Sequence, residues 1–487
     1  MSNIKSQTFN GVKWYLIGDG ANIATNFIIG IILARLLTPE DYGVIGVYGI
    51  FFALANILIN GGFSMSLIQK KNIDDIDCST AFWSNIIIGA ICYIIFYLLS
   101  PLIAEFFHLP ILKSIIRISA LGLLIGSFTI VQTTLFNKRV DFRTTSAIRF
   151  VSNIAAGILC IILAYNGVGV WSLVIQGLTA GMITTILLWT FSSWRPALKF
   201  SWSSFKDLFS FGGRILGTRL LETLSGQFSS FIIGKAFSPT QLGYYQKGAA
   251  YARLLSTSLS SALFGVSFPV MSKIEDESTL THVYRRYIKV TSMIIFFLML
   301  LLFALGRPII VILYSAKWEP SAAMMQIVVL ALMFEHIIGI NNSIFNVKGR
   351  GDILLRLQII KTIIFLGLIL LSIRFGVYGV CFAEVIYYQI AMWLCGRETK
   401  RLIGYGYVNQ MHDILPYFLM SLISVMPALI FVLFTLSNYV IVSCGSILSI
   451  ITYITILYFK RDPVFMRYFW NNDRIRTIRG KLMFCDK

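Results

Sequence analysis

ILARLLTPEDYG, residues 32–43, returns two hundred residues later as IIGKAFSPTQLG, residues 232–243. Pro39 aligns with Pro239, Gly43 with Gly243, Arg35 with Lys235 and Thr38 with Ser238. Two further echoes keep the same order along the chain: FNKRVD (136–141) with FNVKGRGD (345–352), and GVGVWSLVI (167–175) with GVYGVCFAEVI (376–386). Three matches in one order mark an internal duplication, the first feature to seek in a long apolar chain. Within the repeated segment, Thr38 or Ser238 followed by proline reads as a helix cap with proline in the first turn. Glu40 and Asp41 then sit where the helix dipole favours acids.

The chain around this repeat is too apolar for a water-soluble protein, with 57% hydrophobic and 13% charged residues and a mean hydropathy of +0.77 over 487 residues. A membrane-spanning helix takes roughly 20 apolar residues, so fourteen would use about 280 and leave little for a soluble domain. Continuous runs such as IIIGAICYIIFYLL (86–99) exclude a transmembrane barrel, whose strands alternate. The expected spans lie at about 12–34, 43–68, 82–104, 114–136, 146–165, 169–191, 210–234, 243–270, 290–314, 321–347, 358–375, 377–397, 413–436 and 438–459. The fold class is therefore an all-α polytopic membrane protein of about 14 transmembrane helices. It comprises an N-lobe at 1–208, a C-lobe at 209–400 that repeats it, an appended helix pair at 401–459 and a basic tail at 460–487. Six spans per copy is an even number, so the two lobes insert with the same orientation.

A formal charge of +19 invites a nucleic-acid reading, but the charge follows the spans instead. The even-numbered connections and their adjoining span ends hold 19 Lys and Arg against seven in and beside the odd-numbered ones, which puts the even loops and both termini in the cytoplasm. The tail, with eight basic and three acidic residues, suits anionic inner-leaflet lipid. No nucleic-acid partner is expected. No cleavable signal peptide is visible, because the first span is interrupted by Lys13, Asp19, Asn22 and Asn26. Seven scattered cysteines without a CxxC pair indicate neither a zinc site nor a disulfide framework.

A duplicated membrane protein of this kind carries its ligand between the lobes near the midplane and moves by rocking one lobe against the other. Transport is the leading expectation. A membrane glycosyltransferase or polymerase would present a sizeable outer loop with a catalytic constellation, and the short odd-numbered loops offer neither.

The stretch GVKWYLIGDGANIATNFIIGIILARLLTPEDYGVIGVY (11–48), with its A-R-x-L-x-P-x-D-x-G core, resembles bacterial lipopolysaccharide, O-antigen and capsule flippases. These belong to the multidrug/oligosaccharidyl-lipid/polysaccharide exporter superfamily. The resemblance covers essentially the whole chain. It implies movement of an undecaprenyl-pyrophosphate-linked oligosaccharide from the cytoplasmic to the periplasmic leaflet of the bacterial inner membrane, with spans 1, 2, 7 and 8 lining a cavity. Polysaccharide polymerase and chain-length machinery are the protein partners it suggests. A multidrug exporter of the same superfamily is the alternative.

Ionisable residues inside spans cost at least about 2.5–3.5 kcal/mol each at a helix centre, so they mark candidate sites. Span 7 carries Arg214, Arg219 and Glu222 on one polar face, opposite Leu216, Leu220, Leu221 and Leu224. An Arg219/Glu222 ion pair or a cavity wall both fit that pattern. Arg253 falls about 15 Å into span 8, near the midplane, with Lys247 nearer the outer end beside Tyr244 and Tyr251. Asp19, Asn22 and Asn26 share one face of span 1, as lining or as packing. Span 10 offers Glu335, Asn342 and Asn346, with His336 adjacent. A pyrophosphate is best held by arginine forks. Arg214, Arg219, Lys247, Arg253, Asn22 and Asn26 are accordingly the substrate-binding candidates. Asp19, Glu222 and Glu335 are the ion-coupling candidates, exchanging with H⁺ or Na⁺. No other cofactor, no metal and no catalytic residue is expected.

Overall fold

The computed structural model describes residues 2–60, 62–70, 73–434 and 436–466; the expected basic tail beyond residue 466 lies outside them. Among the described residues there is no strand. The helices are α1 (Ser2–Leu36), α2 (Pro39–Asn60), α3 (Phe63–Gln69), α4 (Asp75–Phe106), α5 (Ile111–Ser119), α6 (Leu121–Ser127) and α7 (Ile130–Lys138). They continue with α8 (Phe142–Tyr165), α9 (Val170–Phe191), α10 (Trp202–Ala236), α11 (Pro239–Met271), α12 (Glu277–Ala304), α13 (Gly306–Tyr314) and α14 (Pro320–Leu332). The last are α15 (Glu335–Val347), α16 (Gly351–Ser372), α17 (Gly376–Ile403), α18 (Tyr407–Ser424), α19 (Met426–Leu433) and α20 (Asn438–Phe459).

Each expected span is occupied by one helix or by consecutive shorter ones. Breaks fall where hydropathy is blind: α2/α3 at Gly62, α5/α6/α7 in the fourth span, α12/α13 before Pro308, and α18/α19 before Pro427. Nine helical stretches among the described residues are by themselves long and apolar enough to cross a membrane, or ten with the bent pair Ile111–Ser127 and Ile130–Lys138. One of them, Gly351–Ile403, holds two expected spans. On α4, Ile87, Ile91, Ile94 and Leu98 form an exposed stripe at helical spacing while Ser84 and Asn85 are buried. That inverted polarity is what a helix facing lipid on one side requires.

Helix starts follow their capping residues. Thr38 and Asp41 cap α2 reciprocally: the Thr38 amide and hydroxyl donate to Asp41 Oδ2 at 2.9 and 2.8 Å, and the Asp41 amide returns a bond to Thr38 Oγ1 at 3.2 Å. At the repeat-equivalent start of α11, Ser238 Oγ accepts from the Gln241 amide at 3.2 Å. Asp141, Ser201 and Asp276 cap α8, α10 and α12 in the same way. Such a cap contributes about 1 kcal/mol.

The chain divides into two compact units, residues 1–246 and 247–487. This differs from the expected N-lobe boundary at residue 208. The reason lies in packing: α10 lies against α2, α3 and α4. Leu208 joins a core with Phe63, Leu67 and Phe82, and Ser66 Oγ donates to the Leu208 carbonyl at 2.7 Å. Gly62, at φ +72°, touches the Gly212 backbone so closely that any Cβ would overlap it. Elsewhere in this unit α1 packs on α8, α8 on α9, and α4 on α5 and α6.

In the second unit the helices that follow the repeat pack against those of the repeat. α18 packs along α12 and α20. Gln410 Nε2 donates to Tyr284 Oη at 2.8 Å and to Asn341 Oδ1 at 2.9 Å, and Thr399 Oγ1 donates to the same Asn341 oxygen at 2.8 Å. All four side chains are fully buried. Asp413, also buried, accepts from Arg285 Nη2 at 2.8 Å and Tyr405 Oη at 2.5 Å, and Lys289 Nζ lies 3.1 Å away. These bonds join α12, α15, α17 and α18 into one polar knot, in which Asn341 Nδ2 and Gln410 Oε1 are buried without a hydrogen-bond partner among the described residues.

Candidate functional site

Arg219 and Glu222 on α10 are both exposed side chains, and among the described residues no ion pair joins them. Arg219 instead lines a cavity of about 240 Å³ with Ile57, Asn60, Gly62, Ser64, Met65 and Leu216. The cavity lies at the α2/α3 break, lined from both of those helices and from α10. The side chains of Asp19 and Arg214 lie outside the described residues.

On α1 the two asparagines separate. Asn22 is buried, and its amide is used in helix packing: Nδ2 donates to the Gly18 carbonyl at 2.9 Å and reaches the Ser146 carbonyl of α8 at 3.5 Å, while Oδ1 accepts from Asn153 Nδ2 at 3.2 Å. This arrangement makes Asn22 an α1–α8 packing residue. Asn26, one turn on, is exposed.

In the second unit, Lys247 Nζ stands 5.2 Å from the centre of the Tyr314 ring, and Tyr251 stacks on the same ring at 5.4 Å. The ammonium thus lies over an aromatic face, where a cation is attracted by the ring quadrupole. Arg253 Nη2 lies 3.6 Å from Glu384 Oε1 of α17. One turn along α11, Ser256 Oγ donates to Glu335 Oε2 of α15 at 2.5 Å. Glu335 and Arg253, expected separately from spans 10 and 8, are therefore brought to neighbouring turns of one polar seam. Asn346 is exposed, and His336 is buried with Nε2 2.9 Å from Ser292 Oγ.

Sequence reasoning did not single out Glu384. Its signal was present as one acid inside the apolar run GVCFAEVIYY (379–388), where an unpaired carboxylate is expensive. Asn341 and Gln410 were likewise missed, since lone amides in apolar helices carry no motif. No cluster of potential metal ligands occurs among the described residues.

The comparisons with known proteins follow this architecture. Residues 32–323 match the profile of the polysaccharide biosynthesis protein family. The chain belongs to the polysaccharide biosynthesis protein family. Among family relatives, the teichuronic acid biosynthesis protein TuaB of Bacillus subtilis is 24% identical over 72% of this chain and 74% of its own. The succinoglycan biosynthesis transport protein ExoT of Rhizobium meliloti is 22% identical over 85% of this chain and 82% of its own. The solved structure of lipid II flippase MurJ in an inward closed conformation superposes with a TM-score of 0.76 at 16% identity, covering 92% of this chain and all of that one. Family membership and shared fold together bear out the expected multi-pass, all-α membrane architecture.

Proposed function

We propose that this polysaccharide biosynthesis protein flips an undecaprenyl-pyrophosphate-linked oligosaccharide from the cytoplasmic to the periplasmic leaflet by alternating access. The observation that carries this reading is the pair of arginines placed on polar intramembrane helices: Arg219 on a cavity wall and Arg253 backed by a buried acid. Arginine forks suit a pyrophosphate and disfavour the cationic cargo of a multidrug exporter. The names borne by the relatives, a transport protein for succinoglycan and a lipid II flippase, support a lipid-linked saccharide as cargo. In this reading Arg214 joins Arg219 as a cationic cargo ligand on α10, Lys247 joins Arg253 on α11, and Asn26 serves as an amide ligand for sugar; Asn22 is engaged in packing. We assign ion coupling, by H⁺ or Na⁺, to Asp19, Glu222 and Glu335. The protein moves its cargo without chemical change and hands it to polysaccharide polymerase and chain-length machinery.

Both termini face the cytoplasm in this reading, as the loop charges demand. Reporter fusions after Arg143, Lys199 and Lys487 should score cytoplasmic, and fusions near Pro39 and Asn166 periplasmic; an external C-terminus would refute the orientation. For the cargo, a deletion strain should assemble the lipid-linked oligosaccharide and accumulate it on the cytoplasmic leaflet. Absence of the lipid-linked unit where its precursors persist would favour a transferase instead.

A further inference from the structure

Three helices of the second unit meet around one guanidinium. Arg253 projects from α11 toward Glu384 on α17 at 3.6 Å, and Ser256, one turn along, ties α11 to Glu335 on α15 at 2.5 Å. The partners differ in access: the Arg253 side chain is 39% exposed, that of Glu384 only 3%. A ligand entering the unit meets the arginine, while the acid stays behind it. At 3.6 Å the pair is ionic and too long for a hydrogen bond.

We infer that Glu384 is a resident counter-anion, which orients Arg253 for the cargo and competes with the cargo phosphate for it. The inference rests on the reading of Arg253 as a phosphate ligand. A guanidinium that already faces a carboxylate attracts a second anion less strongly, because the two negative groups repel across it. Affinity is thereby held down, and most of a change in affinity appears in the dissociation rate. A carrier must release its cargo once per cycle, so weakened binding here serves turnover. Glu384 is a positioning residue: it acts through Arg253.

The test uses the full-length protein in liposomes, with farnesyl pyrophosphate as binding probe and transbilayer movement of lipid-linked oligosaccharide as rate. Glu384→Gln should bind farnesyl pyrophosphate about tenfold more tightly, with lower KM and lower kcat for transport. Glu384→Asp, which keeps the charge but draws it back by one methylene, should fall between. A role confined to holding the helices together predicts the opposite, weaker binding with a lower unfolding temperature. Arg253→Ala combined with Glu384→Gln should lose the gain, since the acid works through the arginine. Binding that is unchanged or weaker in both Glu384 variants, with Arg253→Ala still defective, overturns this inference alone. Wild-type binding by Arg253→Ala overturns the underlying reading.

Discussion

Arg253→Ala will abolish translocation while the protein still reaches the membrane. Removing a charge from a helix interior lowers the cost of insertion, by up to about 3 kcal/mol on insertion scales, so loss of activity will not trace to loss of protein. Arg253→Lys should recover part of the activity, because an ammonium keeps the charge and loses the planar fork that grips two phosphate oxygens. The single alanine variant also takes the guanidinium from a carboxylate that is 3% exposed. Leaving that carboxylate without its guanidinium costs some stability, less than in a pair buried on both sides because the Arg253 side chain is 39% exposed. The double variant Arg253→Ala with Glu384→Gln removes both charges and separates the effects. It should regain stability and remain inactive. Near-normal surface polysaccharide in Arg253→Ala at native expression would show that the cationic site lies elsewhere.

The second large effect is steric. Gly43 at the start of α2 touches the Pro239 backbone at the start of α11, and Gly243 touches Pro39 in return. A Cβ at either glycine would overlap a carbonyl of the other segment, and a backbone cannot turn away as a side chain can. Gly43→Ala and Gly243→Ala should each destabilise the protein by about 3 kcal/mol, the upper end for overpacking, read as a lower unfolding midpoint and less protein in the membrane. Gly49→Ala on the same helix, where no atom lies within 4 Å, is the matched control and should hold or slightly raise stability. Equal stability of all three variants would mean that the helices do not cross there.

That crossing explains why the opening repeat was readable at all. The Thr/Ser-Pro cap and the glycine four residues on are imposed by local backbone geometry, so both copies retain them, and the reciprocal Pro39–Gly243 and Pro239–Gly43 contacts join like to like. Span positions were legible for a similar reason, since lipid demands apolar length whatever the fold. The breaks inside spans were not legible. Hydropathy averages over a window and passes through Gly62 or Pro427 without registering a break. The boundary at residue 208 followed the repeat, whereas compactness follows packing, and Leu208 and Gly212 bind α10 to the first unit. Among the candidate residues, Arg219 in the first unit and Lys247, Arg253 and Glu335 in the second stand out in the sequence because charge in a span is costly. Asn22 was ambiguous because a polar face on a helix serves packing and lining equally well, and only the Asn153 and Ser146 contacts decide between them. Glu384 needed a partner from another helix, which periodicity on α17 alone cannot supply.

Transbilayer movement by the purified protein tests the central claim most directly. Liposomes containing the protein and an undecaprenyl-pyrophosphate-linked oligosaccharide are treated outside with a membrane-impermeant glycosidase, with and without an imposed H⁺ or Na⁺ gradient. The account predicts that the inner-leaflet sugar becomes accessible over time in wild-type vesicles and stays protected in Arg253→Ala vesicles. Protection of the inner-leaflet sugar in wild-type vesicles under every gradient, with the protein folded and correctly inserted, would contradict it.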